Sequence, residues 1–348
     1  MYTFGISLYL GTGYEKNKKI IEKANKNNAK YAFTSLHIPE ETVDNYEEEV
    51  KSLLNLCKLN DLNLIVDVGP TTLEKLGFNN FKELKQTSIT HLRLDYGFTN
   101  EEIVELSKDF NIVFNASTLS DRDIDDLRGL NADFSRFLAC HNFYPKPLTG
   151  LSLEKVNKIN EKLKSFGITT IAFVAGDKDL RGPLNMGLPT VEEHRVGDVL
   201  LNVLQLIKET ETDIPMIGDI NITEEAWVKL KELSEGYICL NAKIDEQYAF
   251  VKKIIHHDRP DSSEHVIRSQ ESREFSSKGK TIEVELPKER NKGSISISNM
   301  NYLRYSGELE IARKDLDLEP KVNIIGQVNM DYIKYLDYIT DGLGFKLI

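Results

Sequence analysis

Cysteine is scarce in this chain. Cys57, Cys140 and Cys239 form an odd, scattered set without CxxC spacing, which argues against a disulfide framework and predicts reduced thiols in a cytoplasm. Long apolar runs are missing too, since none approaches the roughly 18 residues needed to cross a bilayer. The N-terminus, MYTFGISLYLGTGYEKN, has no basic lead-in and no small-residue cleavage site, so no secretory signal is expected. Positive charge is in deficit: 44 Lys and Arg against 55 Asp and Glu leave a net −11. That balance argues against nucleic-acid binding and obliges any anionic substrate to find a local basic pocket. Several catalytic motifs are also absent, among them a serine nucleophile elbow, a Walker loop and HExxH. GTG at 11–13 lacks the rest of a dinucleotide fingerprint and reads as a turn. His256 and His257, with His265, fit no standard zinc spacing. No metal and no organic cofactor is therefore called for.

A hydrophobic fraction of 40% and a charged fraction of 28% over 348 residues describe a soluble globular protein with room for two domains. From the N-terminus, short β-branched or apolar runs alternate with amphipathic charged segments. TFGISLYL precedes a helical pattern near 14–29, with Ile20, Ile21 and Ala24 on one face. KYAFTSLHI precedes a helix near 42–60, where Val50, Leu53, Leu54 and Cys57 recur at helical spacing. LNLIVDVGP leads to TTLEKLGF, whose threonine–glutamate spacing resembles a capping box. ITHLRLDYG, NIVFNAS, FSRFLACHNFY, TTIAFVAGD and IPMIGDI continue the series, each followed by a helical pattern. Eight strand–helix units in about 235 residues predict a closed (β/α)8 barrel, an α/β fold built on a parallel sheet. After residue 243 the pattern changes to period-two alternation with Gly and Pro punctuation, as in KTIEVEL and GSISISN. Residues 1–243 thus read as the barrel and 244–348 as a small antiparallel β domain.

In such a barrel the active site lies at the C-terminal ends of the strands. That rule selects Tyr9, His37, Asp67, Arg93, Asp95, Asn115, His141, Asn142, Tyr144, Asp177 and Asp219. FLACHNFYPKP is then an interior strand emerging at the rim, with Pro145 and Pro147 fixing the backbone that displays His141, Asn142 and Tyr144. Asp67, Asp95, Asp177 and Asp219 each follow an apolar run, and carboxylates gathered at one mouth can be held in different protonation states, the equipment of glycoside hydrolysis. About half of such acids are expected to cap the following helices, and Asp219, followed by INITEEA, is the most cap-like. Arg93 stands two residues before Asp95, so both face the same way on a regular strand. Arg181 sits in the long loop after the seventh strand, a frequent phosphate holder in this fold.

The segments GISLYLG, FTSLHIPEE, LRLDYGF, NAST, CHNFYPKPLTGLS, GPLNMGLPTVEEHR and GSISISNMNYLRYSGELEIAR are long and idiosyncratic. Through them the chain resembles a bacterial family of two-domain 6-phospho-N-acetylmuramidases. The resemblance implies a TIM barrel followed by a cyclophilin-like β domain, and cytoplasmic, exo-acting cleavage of MurNAc-6-phosphate–GlcNAc in cell-wall recycling. Such a substrate carries two anionic groups, which planar guanidinium groups suit. Arg93 and Arg181 are the barrel candidates for them, and Arg268 and Arg304 the candidates from the β domain. Asp95 and Asp67 are expected to carry the chemistry, with Asp177 third, while His37, Asn115, His141, Asn142 and Tyr144 hold the sugars. Two other readings stay open: a metal-dependent phosphosugar isomerase or epimerase using His37, Asp67 and His141, and a non-catalytic sugar-phosphate sensor. No nucleic acid and no membrane is expected as a partner, and a homo-oligomer is left open.

Overall fold

The computed structural model describes residues 2–35, 46–69, 72–75, 78, 80–94, 97–272 and 281–348. In it the strand runs contract to their central residues: β1 Gly5–Ser7, β2 Tyr31–Ser35, β3 Asn63–Val68, β4 Ile89–Leu94, β5 Asn111–Asn115, β6 Phe137–Cys140, β7 Thr169–Val174 and β8 Ile214–Ile217. They pair in sequence order, all parallel, and β8 returns to β1 to close the barrel. The helices that follow are α1 Tyr14–Lys26, α2 Tyr46–Leu59, α3 Thr72–Lys75, α4 Asn100–Ser107, α5 Asp121–Gly129, α6 Leu153–Ser165, α7 Val199–Glu209 and α8 Glu224–Ser234. The residues whose spacing predicts α1 and α2 are the ones buried, including Ile20, Ile21 and Ala24 on α1 and Val50, Leu53, Leu54 and Cys57 on α2. Each large apolar side chain so buried contributes about 1.5–3 kcal/mol. α4 and α5 begin with complete capping boxes, Thr99 with Glu102 and Ser120 with Asp123. The capping box expected in TTLEKLGF falls on Thr71, outside the described residues.

Two layers of core result. Inside the barrel, alternate residues such as Phe33, Ile65, Val113, Cys140, Phe173 and Met216 pack on one another. The residues between them face the helices.

The chain divides into two compact units, 3–231 and 1–2 with 232–348, so the division comes earlier than residue 243. Two short strands explain the difference. β9, Tyr237–Leu240, pairs with β16, Gly344–Leu347, and β10, Ala242–Ile244, pairs with β15, Val322–Val328. Both therefore belong to the C-terminal unit, although in sequence they run on from the barrel. β10 and β15 continue through β13, Ser294–Ser298, and β14, Leu309–Ala312, to β12, Val266–Arg268, in an antiparallel five-stranded sheet. In the second, three-stranded sheet, β11, His256–His257, is antiparallel to β16, whereas the β16–β9 pair is parallel. His256 is wholly buried, stacked on Phe345 and hydrogen-bonded to Ser269 Oγ and the Val251 carbonyl. No helix among the described residues is long and apolar enough to cross a membrane.

The C-terminal unit also encloses an ion pair. Asp258, fully buried, lies 3.3 Å from the buried Arg313, which further donates to the carbonyls of Ser263, Leu336 and Ile339. Asp258 accepts from Arg268 N and Ser262 Oγ. With both ions bonded, the desolvation cost of burying them is offset; with one removed, the other is stranded. Arg313→Met is therefore expected to lower the stability of the full chain by about 3–5 kcal/mol in denaturant unfolding, and adding Asp258→Asn to recover part of that loss.

Candidate active site

Strand alternation builds the floor of the barrel mouth. Six consecutive strands end in, or run directly into, an inward polar residue: Ser7, Ser35, Asp67, Arg93, Asn115 and Asn142. At its centre Arg93 Nη1 donates to Asp67 Oδ1 at 3.0 Å, with the two side chains only 9% and 15% exposed. The pairing of β3 with β4 sets Asp67 directly opposite Arg93, so the register creates the ion pair. Ser35 Oγ donates to Asp67 Oδ2 at 3.3 Å, and Arg93 Nη2 donates to Asn142 Oδ1 at 2.8 Å. A guanidinium this close favours the ionised form of Asp67. With Oδ1 accepting from Arg93, Asn142 presents its Nδ2 as a donor. Asn115 does likewise, its Oδ1 accepting from Ser117 N at 3.0 Å. Ser7 Oγ, buried, has no partner among the described residues.

The aromatic residues that follow β6 divide between wall and rim. Phe143 packs edge-on against Phe33 and Phe173, with ring centroids 6.4 and 5.2 Å apart. Tyr144 is half-buried, its backbone N–H bonded to the Pro189 carbonyl at 2.9 Å. Beyond β1, the Arg181 guanidinium lies over the ring of Tyr9 at 4.3 Å, and the Tyr9 hydroxyl donates to the Gly218 carbonyl. A guanidinium over an aromatic face gains a cation–π contact.

Strand alternation takes one sequence candidate out of the mouth. His141 falls between the inward Cys140 and Asn142, so alternation turns it toward α6, where its Nε2 meets Asn160 Oδ1 at 2.8 Å. Burial pushes its pKa below the ordinary imidazole value, against the hydrogen bond to Asn160 Oδ1. It is thus a packed residue of the outer layer, and the trio of His37, Asp67 and His141 loses a member. His37 and Asp95 lie outside the described residues. In the C-terminal unit, Arg268 pairs with Asp261 at 3.2 Å and Arg304 stacks on the neighbouring Tyr305 at 4.8 Å.

Asp177 and Asp219 exchange the roles that the sequence suggests. β7 stops at Val174, and the chain then crosses the end of β8 so closely that a Cβ on Gly176 would lie 2.5 Å from the Asn221 carbonyl oxygen. The crossing sets Asp177 at the start of α8. There its carboxylate accepts from Thr223 N at 2.7 Å and Thr223 Oγ1 at 2.8 Å. Asp219, in turn, is buried and accepts three backbone N–H groups of the preceding loop, from Gly176, Arg181 and Leu188, at 2.9–3.0 Å. Burial raises its pKa above the usual carboxylate value while those bonds oppose the shift.

The same exchange alters the phosphate expectation. Between the N-termini of α7 and α8 lies a cleft of about 300 Å³ lined by Asp177, Asp198, Thr223, Glu225 and Lys229 among others. Asp198 caps α7 through Leu201 N, and Lys229 lies 3.4 Å from Asp198 and 2.7 Å from Glu225. Both helix dipoles already face the protein's own carboxylates, so an added phosphate would meet repulsion there.

One pair at the rim has no counterpart among the sequence candidates. Glu192 and Arg195 join bidentately at 2.7 and 2.8 Å, and the Glu192 oxygens also accept from Leu148 N and Gly150 N at 2.8 Å each. Its one local signal is the i,i+3 spacing within VEEHR, which helix surfaces show routinely. Arg195 chiefly, and the two N–H groups with it, hold the Glu192 carboxyl at about 2 against the opposing effect of burial. The pair therefore stabilises the fold fully above the ordinary glutamate value of 4.5, and that contribution drains away as the pH falls from there toward 2. Glu192→Gln should cost about 2–3 kcal/mol in unfolding experiments at pH 7, with the difference from wild type closing as the pH approaches 2. Asp177→Asn should cost about 1 kcal/mol in the same measurement, as the loss of a helix cap does, and leave enzymatic turnover unchanged.

Comparison with known proteins covers both units. The family model described as 6-phospho-N-acetylmuramidase, N-terminal, matches residues 4–232, and its C-terminal counterpart matches 238–348. A conserved Enterococcus faecalis protein with an unknown function is 31% identical in its crystal structure, covers 100% of this chain and 96% of its own, and superposes with a TM-score of 0.78. An uncharacterized B. cereus protein, at 26% identity and full coverage of both chains, superposes with a TM-score of 0.77. No curated protein matches. The family is named for a glycoside hydrolase activity. The two matches fall on the closed barrel and on the second β unit in turn, and the chain belongs to the 6-phospho-N-acetylmuramidase family.

Proposed function

We propose that this protein hydrolyses the glycosidic bond of MurNAc-6-phosphate–GlcNAc, releasing GlcNAc. The observation that supports this most directly is the Asp67 carboxylate at a barrel mouth, oriented by Arg93 at 3.0 Å, with Arg93 also bonded to the Asn142 amide. Glycoside hydrolysis needs one carboxyl group kept charged and one able to give a proton. Asp67 takes the charged role, as the nucleophile, as the base, or as the group that orients the 2-acetamido function for internal attack. Asp95, two residues past Arg93 in the sequence, takes the acid role. Amide donors at Asn115 and Asn142 suit sugar hydroxyls, and Tyr144 offers a ring face. These roles require neither metal nor organic cofactor.

The substrate's anionic groups need cations that the net charge of −11 does not provide in bulk. Arg93 is committed to Asp67, and the α7–α8 cleft is lined with carboxylates. Arg181, over the Tyr9 ring in the loop after β7, is the barrel residue assigned to the phosphate, since a guanidinium can bind one with two parallel hydrogen bonds. A cytoplasmic site of action on an imported phosphorylated disaccharide completes the assignment.

The test is GlcNAc release, followed by mass spectrometry, from the phosphorylated disaccharide and from its dephosphorylated form. Wild-type protein should release GlcNAc from the phosphorylated substrate. Asp67→Asn should reduce kcat/KM by about 10²–10⁴-fold. Arg181→Lys should weaken kcat/KM for the phosphorylated substrate by about tenfold or more, with no comparable effect on the dephosphorylated one. A folded wild-type protein that cleaves neither substrate would overturn the assignment.

A further inference from the structure

The rim beside β6 and β7 consists of two loops, 141–152 and 175–198, whose only helical piece is the single turn Glu192–Arg195. Loops of this length are ordinarily the mobile part of a barrel. Here they are bound into one body. Thr190, fully buried, donates its hydroxyl to the Asn142 carbonyl at 2.9 Å and receives Phe173 N at 2.9 Å. Leu151 N bonds to the Thr190 carbonyl, and Glu192 N bonds to the Leu151 carbonyl.

The ion pair locks this arrangement from above. Besides Glu192, the Arg195 guanidinium donates through Nη2 to the carbonyls of Tyr144 and Lys146, at 3.0 and 3.3 Å, and through Nη1 to those of Gly187 and Met186, at 3.0 and 3.3 Å. The fit is close: a Cβ on Gly150 would lie 2.7 Å from Glu192 Oε2 and 2.8 Å from Glu192 N, so no larger residue enters without displacing the carboxylate. Leu148, whose N–H is held by Glu192, adopts φ 66°, a left-handed conformation that leucine avoids, with its side chain 90% exposed. An exposed surface ion pair contributes little and needs no such geometry. Arg195 is instead only 9% exposed, and its bonds end on both loops: one carries Asn142 and Tyr144, the other carries Arg181.

We propose that Glu192 and Arg195 are positioning residues for the glycosidase site, fixing the loop that holds Asn142 against Arg93 without touching the substrate themselves. The inference rests on the proposed function. A shift of about 1 Å in a group that orients a reacting sugar costs about 10²-fold in rate.

The experiment uses the full chain with Glu192→Gln and Arg195→Lys, each also combined with Asn142→Ala, assayed on the phosphorylated disaccharide well below the melting temperature of every variant. Both single variants should lose about 10–100-fold in kcat, with KM changed far less. In the Asn142→Ala background the same changes should cost less than about threefold, because the residue being positioned is gone. Wild-type kcat in either folded single variant overturns the proposal, as does a loss undiminished in the Asn142→Ala background, which would mark the pair as purely structural. If Glu192→Gln does not fold, the gentler Arg195→Lys decides. Absence of cleavage by the wild type overturns the glycosidase assignment and this inference with it, whereas an active wild type with unaffected variants overturns the inference alone.

Discussion

In a closed parallel barrel every second strand residue faces the axis, and the residue between must face the helices. The functional side chains of this protein obey that constraint more than they obey their own chemistry. Cys140 and Asn142 face inward, so His141, the one of the three whose type titrates near neutral pH, is turned to Asn160 on α6 and buried. Asp67 and Arg93 share a facing direction and a register position, and their ion pair follows from those two facts alone. The barrel mouth is thus a ring of polar groups set by strand parity, resting on an aromatic and aliphatic interior.

Charge is arranged locally against the sign of the whole molecule. Acidic residues in the first turns of α4 and α5, Asp198 at the cap of α7 and Asp177 at the start of α8 compensate the helix dipoles and add to the negative total. The cations near the mouth are bound by planar contacts: Arg93 to a carboxylate and an amide, Arg181 to an aromatic face, Arg195 to a carboxylate and four carbonyls. Guanidinium suits each of these places because it presents several donors in a fixed plane, which a lysine ammonium does not. A net-acidic surface and an arginine-lined mouth are compatible because Coulomb effects across solvent fade within about 10 Å.

The rim shows how irregular chain is made rigid. Asp219 gathers three N–H groups of one loop, Glu192 gathers two of the other, and Arg195 joins the loops through their carbonyls. Each is a charged side chain satisfying backbone groups that no strand or helix satisfies, the requirement that any buried loop must meet. Glycines at 150 and 176 stand where a side chain would collide with those contacts.

Much of this was legible in the sequence. Eight alternating units, the buried faces of α1 and α2, and the family's long motifs all depend on residues close together in the chain. Periodicity reports such local relations directly. The rest depended on which distant segments meet. Nothing near Asp177 shows that the chain crosses β8 and delivers it to Thr223, and nothing near Asp219 shows three approaching N–H groups. Glu192 and Arg195 looked like an ordinary i,i+3 pair until Leu148 and Gly150 were brought beside them, and β9 and β10 looked like barrel until β15 and β16 paired with them. Sequence by itself determined the fold and the kinds of group at the mouth, because secondary structure and burial follow short-range patterns. Tertiary structure alone decided which acid faces the axis and which one caps a helix, because that choice is made where strand ends and loops far apart in the chain come within hydrogen-bonding distance.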